Sequence, residues 1–327
     1  MRVLLLYRDN PNGDSNRIAK RIHFGFVSKL NQLPNTKLFV YGPEVSSPLS
    51  TTPYNKKITL ADLSKKYTPD VVLLYTISNM HRWLPRDFAT SSIPKVSIEC
   101  DWWYGTDRIK SLLSEQRINL VIQRGYIKDE MKDIPMVWLP FSASEKEFVK
   151  NQGVPLKYRK YKIGFIGRGG EQRMRFSGVY QNRYKAVWAL KHHGLMILEG
   201  RVGHERYPRC VGKYRCCFSD CGRLHSPPAK TFEIMGSGTL LLTDPFHGHK
   251  ELFGGEKVCM FYKRDRTDLV KVAKSIWTGD VERMQQIVNR GVNIINKKHL
   301  DIHRIQELRH ILTTYIEKRK VEKIWGN

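Results

Sequence analysis

Over the first 150 residues, short apolar runs rich in β-branched side chains alternate with polar stretches of helical period. Val3 to Tyr7 has strand length and is followed by Ser15 to Leu33, in which Ile18, Ile22, Phe26 and Leu30 recur at intervals of four. That spacing places the four side chains on one face of a helix. Leu38 to Tyr41, Val71 to Ile77, Lys95 to Glu99, Leu120 to Gln123 and Val137 to Leu139 are further strand-length runs. Strands that alternate with helices pair in parallel, with the crossover helices covering both faces of the sheet. The pattern predicts a Rossmann-like α/β domain over residues 1–145.

The alternation stops after Pro140. Ser142 to Lys160 is polar, contains Gly153 and Pro155 and ends in Lys157, Tyr158, Arg159 and Lys160, so a linker is expected at 146–160. The rhythm resumes with Ile163 to Ile166, a helix from about Asn182 to His192 and a strand at Met196 to Glu199. Tyr214 to Phe218 is the next strand, then a short helix at Lys230 to Met235 and a strand at Thr239 to Thr243. A second α/β domain is therefore expected over 161–300, and the fold class is α/β with two Rossmann-like domains facing a cleft. From Arg266 the period turns helical, with Leu269, Val272 and Ile276 on one stripe and Met284, Ile287 and Val288 on another. A last helix from Asp301 to about Ile324 aligns Ile305, Leu308, Leu312 and Ile316, and the segment 301–327 is expected to cross back to the N-terminal domain. No internal repeat or low-complexity segment is visible.

A length of 327 residues suits two domains of ordinary size, and 41% hydrophobic with 11% aromatic residues suffices for real cores. With a mean hydropathy of −0.46, this composition excludes the disordered and collagen-like classes. No apolar run approaches the roughly 18 to 20 residues that span a bilayer. MRVLLLYRDN lacks the layout of a signal peptide, so a cytoplasmic protein is expected, in a host cell's cytoplasm if the chain is viral. The six cysteines read as reduced thiols rather than a disulfide scaffold. Charge adds the first functional clue. Against 31 Asp and Glu stand 56 Lys and Arg, a net +25, which attracts polyanions such as nucleotide phosphates or nucleic acid.

The most informative stretch, Pro228 to Phe253, reads P-A-K-T-F-E-I-M-G-S-G-T-L-L-L-T-D-P-F-H-G-H-K-E-L-F. It is a short helix bearing Lys230 and Glu233, a tight glycine turn, a buried strand, and a glycine-containing loop that ends in an acidic residue. In open α/β sheets, ligands sit beyond the carboxyl ends of the strands, where helix N-termini offer unpaired N–H groups to phosphate. Lysine adds positive charge for a diphosphate, and a carboxylate can accept both hydroxyl protons of a ribose. Lys230 and Glu233 lie one helical turn apart, so both can face one ligand. Taken singly, each is an ordinary solvated helix residue, and the glycines have a packing role open to them. Arg168 follows a strand and precedes Gly169 and Gly170, which is also a phosphate-loop arrangement.

The run F-E-I-M-G-S-G-T-L-L-L-T-D followed by E-L-F-G-G-E-K-V resembles the donor-binding segment of GT-B glycosyltransferases, the CgeB-like (spore-protein) family in particular. W-L-P-F-S-A-S-E-K-E-F and Y-K-I-G-F-I-G-R resemble that family's passage between its two domains. The similarity covers about Val137 to Leu312. It implies a GT-B fold and a nucleotide-sugar-dependent transferase, hexosyl or pentosyl, with a UDP-sugar as the donor and no obligatory metal. It further implies that Glu233 binds the ribose and that Lys230 and Arg168 hold the diphosphate, with Thr231 and the turn at Gly238 shaping the pocket. The loop carrying His247, Gly248 and Glu251 then approaches the sugar and phosphates. Many retaining relatives carry a second glutamate eight positions before the ribose-binding one, and here that position is His225.

On the acceptor side, the run Cys100 to Tyr104 directly follows the Lys95 to Glu99 strand, and in it Asp101 is the candidate general base, with Trp102 and Trp103 beside it to pack on a sugar or base. The alternative is a helix cap with core tryptophans. Asp14 and Asn16, in the turn after the first strand, read as an acceptor loop or a cap. Cys210, Cys216, Cys217, Cys221 and His225 cluster in sequence; Cys217 and Cys221, with three residues between them, have the spacing of a zinc pair, but the rest is unpatterned, and buried thiols are favoured over a metal site. His249 joins His247 as a loop histidine within reach of a sugar or phosphate.

Finally, Lys157 to Arg223 holds sixteen Lys and Arg against four acidic residues, interleaved with tyrosines. A nucleotide diphosphate does not require that many cations, and such a stretch, with Arg173 and Arg175 in it, suits either a phosphate backbone with stacked bases or simply a solvated basic face. A modified base in DNA is therefore one expected acceptor, beside protein or surface glycan. A non-catalytic nucleic-acid-binding α/β protein is the competing reading.

Overall fold

The computed structural model describes residues 1–7, 26–43, 50, 52–100, 106–126, 133–167, 180–203, 206–222, 225–320 and 325. The chain divides into two compact units, Met1–Pro140 with Arg304–Asn327, and Phe141–His303.

In the first unit six parallel strands form one sheet: β1 (Arg2–Leu6), β2 (Lys37–Tyr41), β3 (Val71–Tyr75), β4 (Lys95–Glu99), β5 (Leu120–Gln123) and β6 (Met136–Trp138), in the order β2-β1-β3-β4-β5-β6. The β3 run V-V-L-L-Y is buried at every position, as a central strand covered on both faces must be. Of the amphipathic helix expected to end at Leu33, the described part holds a helical turn at 26–28 and a 3-10 turn at Lys29–Gln32, with Phe26 and Leu30 in the core. β3 stops two residues short of the expected Ile77, because Thr76 adopts φ +58 and Ile77–Met80 begins a helix. The helix Leu60–Tyr67 starts on a reciprocal cap in which the Thr59 side chain accepts from the Asp62 amide and the Asp62 carboxylate accepts from the Thr59 amide. The closing helix Asp301–Lys318 runs into this unit, where the Tyr315 hydroxyl donates to the Asn119 carbonyl at 3.4 Å. It ends at Lys318, ahead of the expected Ile324.

The second unit holds β7 (Lys160–Ile166), β8 (Met196–Gly200), β9 (Tyr214–Phe218), β10 (Leu240–Thr243) and the two-residue β11 (Met260–Phe261), all parallel, in the order β11-β10-β9-β7-β8. Both sheets thus wind alike: the second strand lies on one side of the first and the remainder on the other, which creates a switch point beside the first strand. In this unit the switch point lies between β7 and β9. Gly164 in β7 is required by the Tyr214 ring, since a Cβ there would stand 2.4 Å from Tyr214 Cδ2.

The segment expected as a linker at 146–160 is packed within this unit. Ala143 pairs with the chain at Leu300, Phe148 and Leu156 are core residues, and the buried Arg159 guanidinium donates to Thr239 Oγ1 and the Asn151 carbonyl, both at 2.7 Å. Its anchors Phe148, Leu156 and Arg159 are too widely spaced to show a period. The helix Ala229–Gly236 is set deep by small residues: a Cβ on Gly236 would meet Ala143 Cβ at 2.8 Å, and one on Gly291 of the helix Val281–Lys298 would meet Met235 Cε at 3.2 Å. No helix among the described residues is long and apolar enough to cross a membrane.

Candidate functional site in the second unit

The helix Ala229–Gly236 connects two parallel strands, β9 and β10, so its start lies at the carboxyl edge of the sheet. Pro228 caps it with φ −75 and ψ 169 and no side-chain hydrogen bond, while its carbonyl accepts from the Thr231 amide at 2.9 Å. From this first turn Lys230 reaches the end of β7, where its ammonium donates to the Ile166 carbonyl and lies 5.2 Å from the centre of the Phe165 ring. Gly167 makes that reach possible. Its φ is +133, and a Cβ there would stand 2.5 Å from Lys230 Nζ. A cation is therefore held at the switch point beside β7, where open α/β sheets take their ligands.

One turn on, Glu233 is only 5% exposed, and the Tyr207 hydroxyl donates to its Oε2 at 3.0 Å. Tyr207 opens the short helix Tyr207–Gly212 and sets its ring edge-on to Phe148, with centroids 5.8 Å apart. Burial drives the Glu233 carboxyl up from 4.5 to about 7, against the pull of the Tyr207 hydrogen bond and the Lys230 charge. Burial likewise draws the Lys230 ammonium down to about 8, helped by repulsion from Arg183 and opposed by Glu233 and Asp220. Two groups of opposite sign thus have ionisations that both fall near neutrality.

Beside them, Arg183, in the helix Gln181–His192 that follows β7, pairs with Asp220 just after β9. Asp244, just beyond β10, accepts from the Cys221 amide at 2.8 Å through Oδ1, and its Oδ2 lies 3.9 Å from His225 Nδ1. Burial raises the Asp244 carboxyl to about 6, with Asp220 adding repulsion. His225 has φ +50, and its carbonyl accepts from the His247 amide at 2.8 Å. His225 thus stands beside a carboxylate.

Of the donor-site residues expected from the sequence, the structure brings Lys230 and Glu233 together. Thr231 is fully buried, with no hydrogen-bond partner for its hydroxyl. Gly238 is placed elsewhere: with φ +63 it closes the far end of the helix, where a Cβ would meet Gln152 Cα at 3.1 Å and Arg159 Nη2 at 3.5 Å. The helix of eight residues separates it from Lys230 by roughly 12 Å along the axis. Gly248, at φ +79, starts the helix His249–Phe253, on which Glu251 is exposed. The His249 ring packs among Phe246, Phe253 and Phe261 at 5.3 to 5.6 Å, in an aromatic cluster. Asp14, Asn16, Asp101, Trp102, Trp103, Arg168, Arg173 and Arg175 lie outside the described residues. The thiols of Cys210, Cys216, Cys217 and Cys221 are buried, and among the described residues no group of three or more His, Cys, Asp or Glu converges as for a metal ion. Gly167, Arg183, Asp220, Asp244 and the Tyr207–Glu233 contact were not singled out by sequence reasoning. Gly167 was the accessible one, since it ends an apolar strand run.

Two parallel-sheet α/β units of this kind match the fold of GT-B glycosyltransferases. Residues 158–310 match a family model described as glycosyl transferase-like. Sucrose-phosphate synthase from Thermosynechococcus elongatus aligns with a TM-score of 0.57 at 11% identity, over 96% of this chain and 98% of that one. An alpha-glucosyltransferase solved with UDP and a 13-mer DNA containing an HMU base aligns at 0.59 and 12% identity, over 96% and 99%. The Anabaena protein HepE in complex with UDP and glucose aligns at 0.55 and 12%, over 96% and 100%. At these identities the likeness is one of fold. Among curated protein sequences none matches significantly.

Proposed function

We propose that the protein is a glycosyltransferase that moves a sugar from a uridine diphosphate sugar to a hydroxyl acceptor, with the donor held by the second unit. The observation that carries this reading is the pairing of Lys230 and Glu233, one turn apart on a helix that starts at the switch point beside β7, inside the glycosyl transferase-like span. Glu233 accepts the ribose hydroxyls, and Lys230 with the first-turn amides holds the diphosphate. UDP in the structures of similar fold supports uridine as the base. The motif in Pro228 to Phe253 points to the CgeB-like branch.

In the transfer, the bond between the sugar's anomeric carbon and the diphosphate oxygen breaks, and one to the acceptor oxygen forms. The acceptor proton passes to a base, the role assigned to Asp101 on its sequence position. Negative charge builds on the leaving diphosphate, and Lys230 stabilises it where it develops. For the acceptor we favour a hydroxylated base in DNA, on the net charge of +25 and the basic, tyrosine-rich stretch from Lys157 to Arg223. The DNA in one structure of similar fold agrees with that choice.

A thermal-shift panel of nucleotides and nucleotide sugars tests the donor. Uridine compounds at a hundred times Kd should stabilise the protein by about 2.7 kcal/mol, and adenosine or guanosine compounds should not. If no nucleotide raises Tm, the reading fails. Radiolabelled sugar should then pass from the stabilising donor to DNA carrying hydroxymethylated bases. A protein that binds DNA in a salt-dependent way yet ignores every nucleotide sugar would be the non-catalytic binder instead.

A further inference from the structure

We infer that Tyr207 is a specificity-determining residue of the donor site, which orients the Glu233 carboxylate so that it reads the 2′- and 3′-hydroxyls of a ribose. The inference rests on the assignment of Glu233 to the ribose. A carboxylate offers about four lone-pair directions on two oxygens. The Tyr207 hydroxyl takes one of them on Oε2 and fixes the rotation of the group about its last bond. Oε1 and the second direction on Oε2 are left for two vicinal hydroxyls. The tyrosine is itself held in place: its ring rests edge-on against Phe148, and Pro208 in the first turn fixes the backbone that follows it.

The phenol remains a donor over the accessible pH range, because burial and the Glu233 charge push its ionisation well above the ordinary value. Groups from four parts of the chain bias the ionisation of Glu233. Tyr207 and Lys230 favour its ionised form, while Glu147, before β7, and Asp301, at the start of the closing helix, oppose it. Loss of the Tyr207 hydroxyl therefore frees the carboxylate to rotate and raises the pH at which it ionises. Both effects weaken recognition of the ribose.

The test compares UDP with 2′-deoxy-UDP by calorimetry on the full chain. The unaltered protein should prefer UDP by roughly tenfold or more, as sites built to hydrogen-bond a hydroxyl do. Y207F keeps the ring on Phe148 and should lose roughly tenfold in UDP affinity with little change for the deoxy compound, so that the preference falls towards unity. The pH midpoint for UDP-glucose binding should also move upward, a readout that a merely structural tyrosine would not shift. Tyr207→Met, which lacks both ring and hydroxyl, must give the same loss of preference and provides the test if Y207F does not fold. Glu233→Ala separates the two levels. If it leaves UDP affinity and preference unchanged, the ribose assignment is wrong. If it abolishes the preference while Y207F retains both preference and pH midpoint, Tyr207 has no such role.

Discussion

Replacing Glu233 by glutamine should strengthen the fold at alkaline pH while weakening the donor site. Its carboxyl is held at about 7 by burial, against an ordinary 4.5. A carboxyl whose folded value lies above its unfolded one binds its proton more tightly in the native state. Ionising it therefore costs stability, nothing below about pH 4.5, increasingly between 4.5 and 7, and a constant amount above. The step from 4.5 to about 7 corresponds to about 3 kcal/mol at most. Glutamine is isosteric and neutral, and its amide oxygen can still accept from Tyr207. Calorimetric unfolding should accordingly give Glu233→Gln the same Tm as the unaltered protein near pH 4.5 and a higher one at pH 8, by about 2–4 °C per kcal/mol gained. UDP-glucose affinity at pH 8 should fall at least tenfold, a loss of about 1.4 kcal/mol, because a neutral amide accepts the ribose hydroxyls less well. A variant no more stable than the original at pH 8 would refute the buried charge, and unchanged UDP-glucose affinity would refute its part in binding.

Three further outcomes follow from the same geometry. The affinity for UDP-glucose, whose diphosphate does not titrate near neutrality, should rise with pH through about 7 as Glu233 ionises and fall above about 8 as Lys230 loses its proton; a flat isothermal-titration profile between pH 5.5 and 9 would contradict both assignments. Gly167→Ala forces a Cβ to within 2.5 Å of Lys230 Nζ at φ +133, so donor binding should be lost with a backbone cost of about 1–3 kcal/mol read by urea denaturation, whereas normal binding would show that the ammonium works from another position. Arg159→Met removes donors to Thr239 and to the carbonyls of Asn151, Val154 and Ser237, and should lower unfolding free energy by about 2–5 kcal/mol while leaving the Kd for UDP little changed, since this side chain lies at the end of the helix remote from Lys230.

The strands were readable because parallel sheets covered on both faces require continuous apolar runs, and Tyr214–Phe218 falls where the pattern places it. Met260–Phe261 is too short to rise above its surroundings. Thr59 and Asp62 spell a helix start that a reading led by strands passes over. Lys230 and Glu233 could be paired from spacing alone, since three residues make nearly one helical turn. Gly238 lies apart from them for the complementary reason: closeness in sequence counts for little when a straight helix carries the chain to its far end. The contact between Tyr207 and Glu233 joins residues 26 apart on different elements, and no local pattern encodes it. Arg159 reads as one more cation in a basic stretch, yet it is buried among carbonyls, a distinction that charge counting cannot make.

The first unit is discontinuous in sequence: its sheet is built from residues before Pro140, and it is completed by residues from Arg304 onward, with Thr313 touching Met1. In sequence, the second unit is an uninterrupted insert between these two parts. On the ribosome, the insert has all of its residues while its host still lacks a closing helix, so the middle of the chain can mature before the beginning does. Excision of 141–303 as a free-standing fragment is accordingly the natural cut, whereas a simple truncation after Pro140 would strand the nascent host with an open flank.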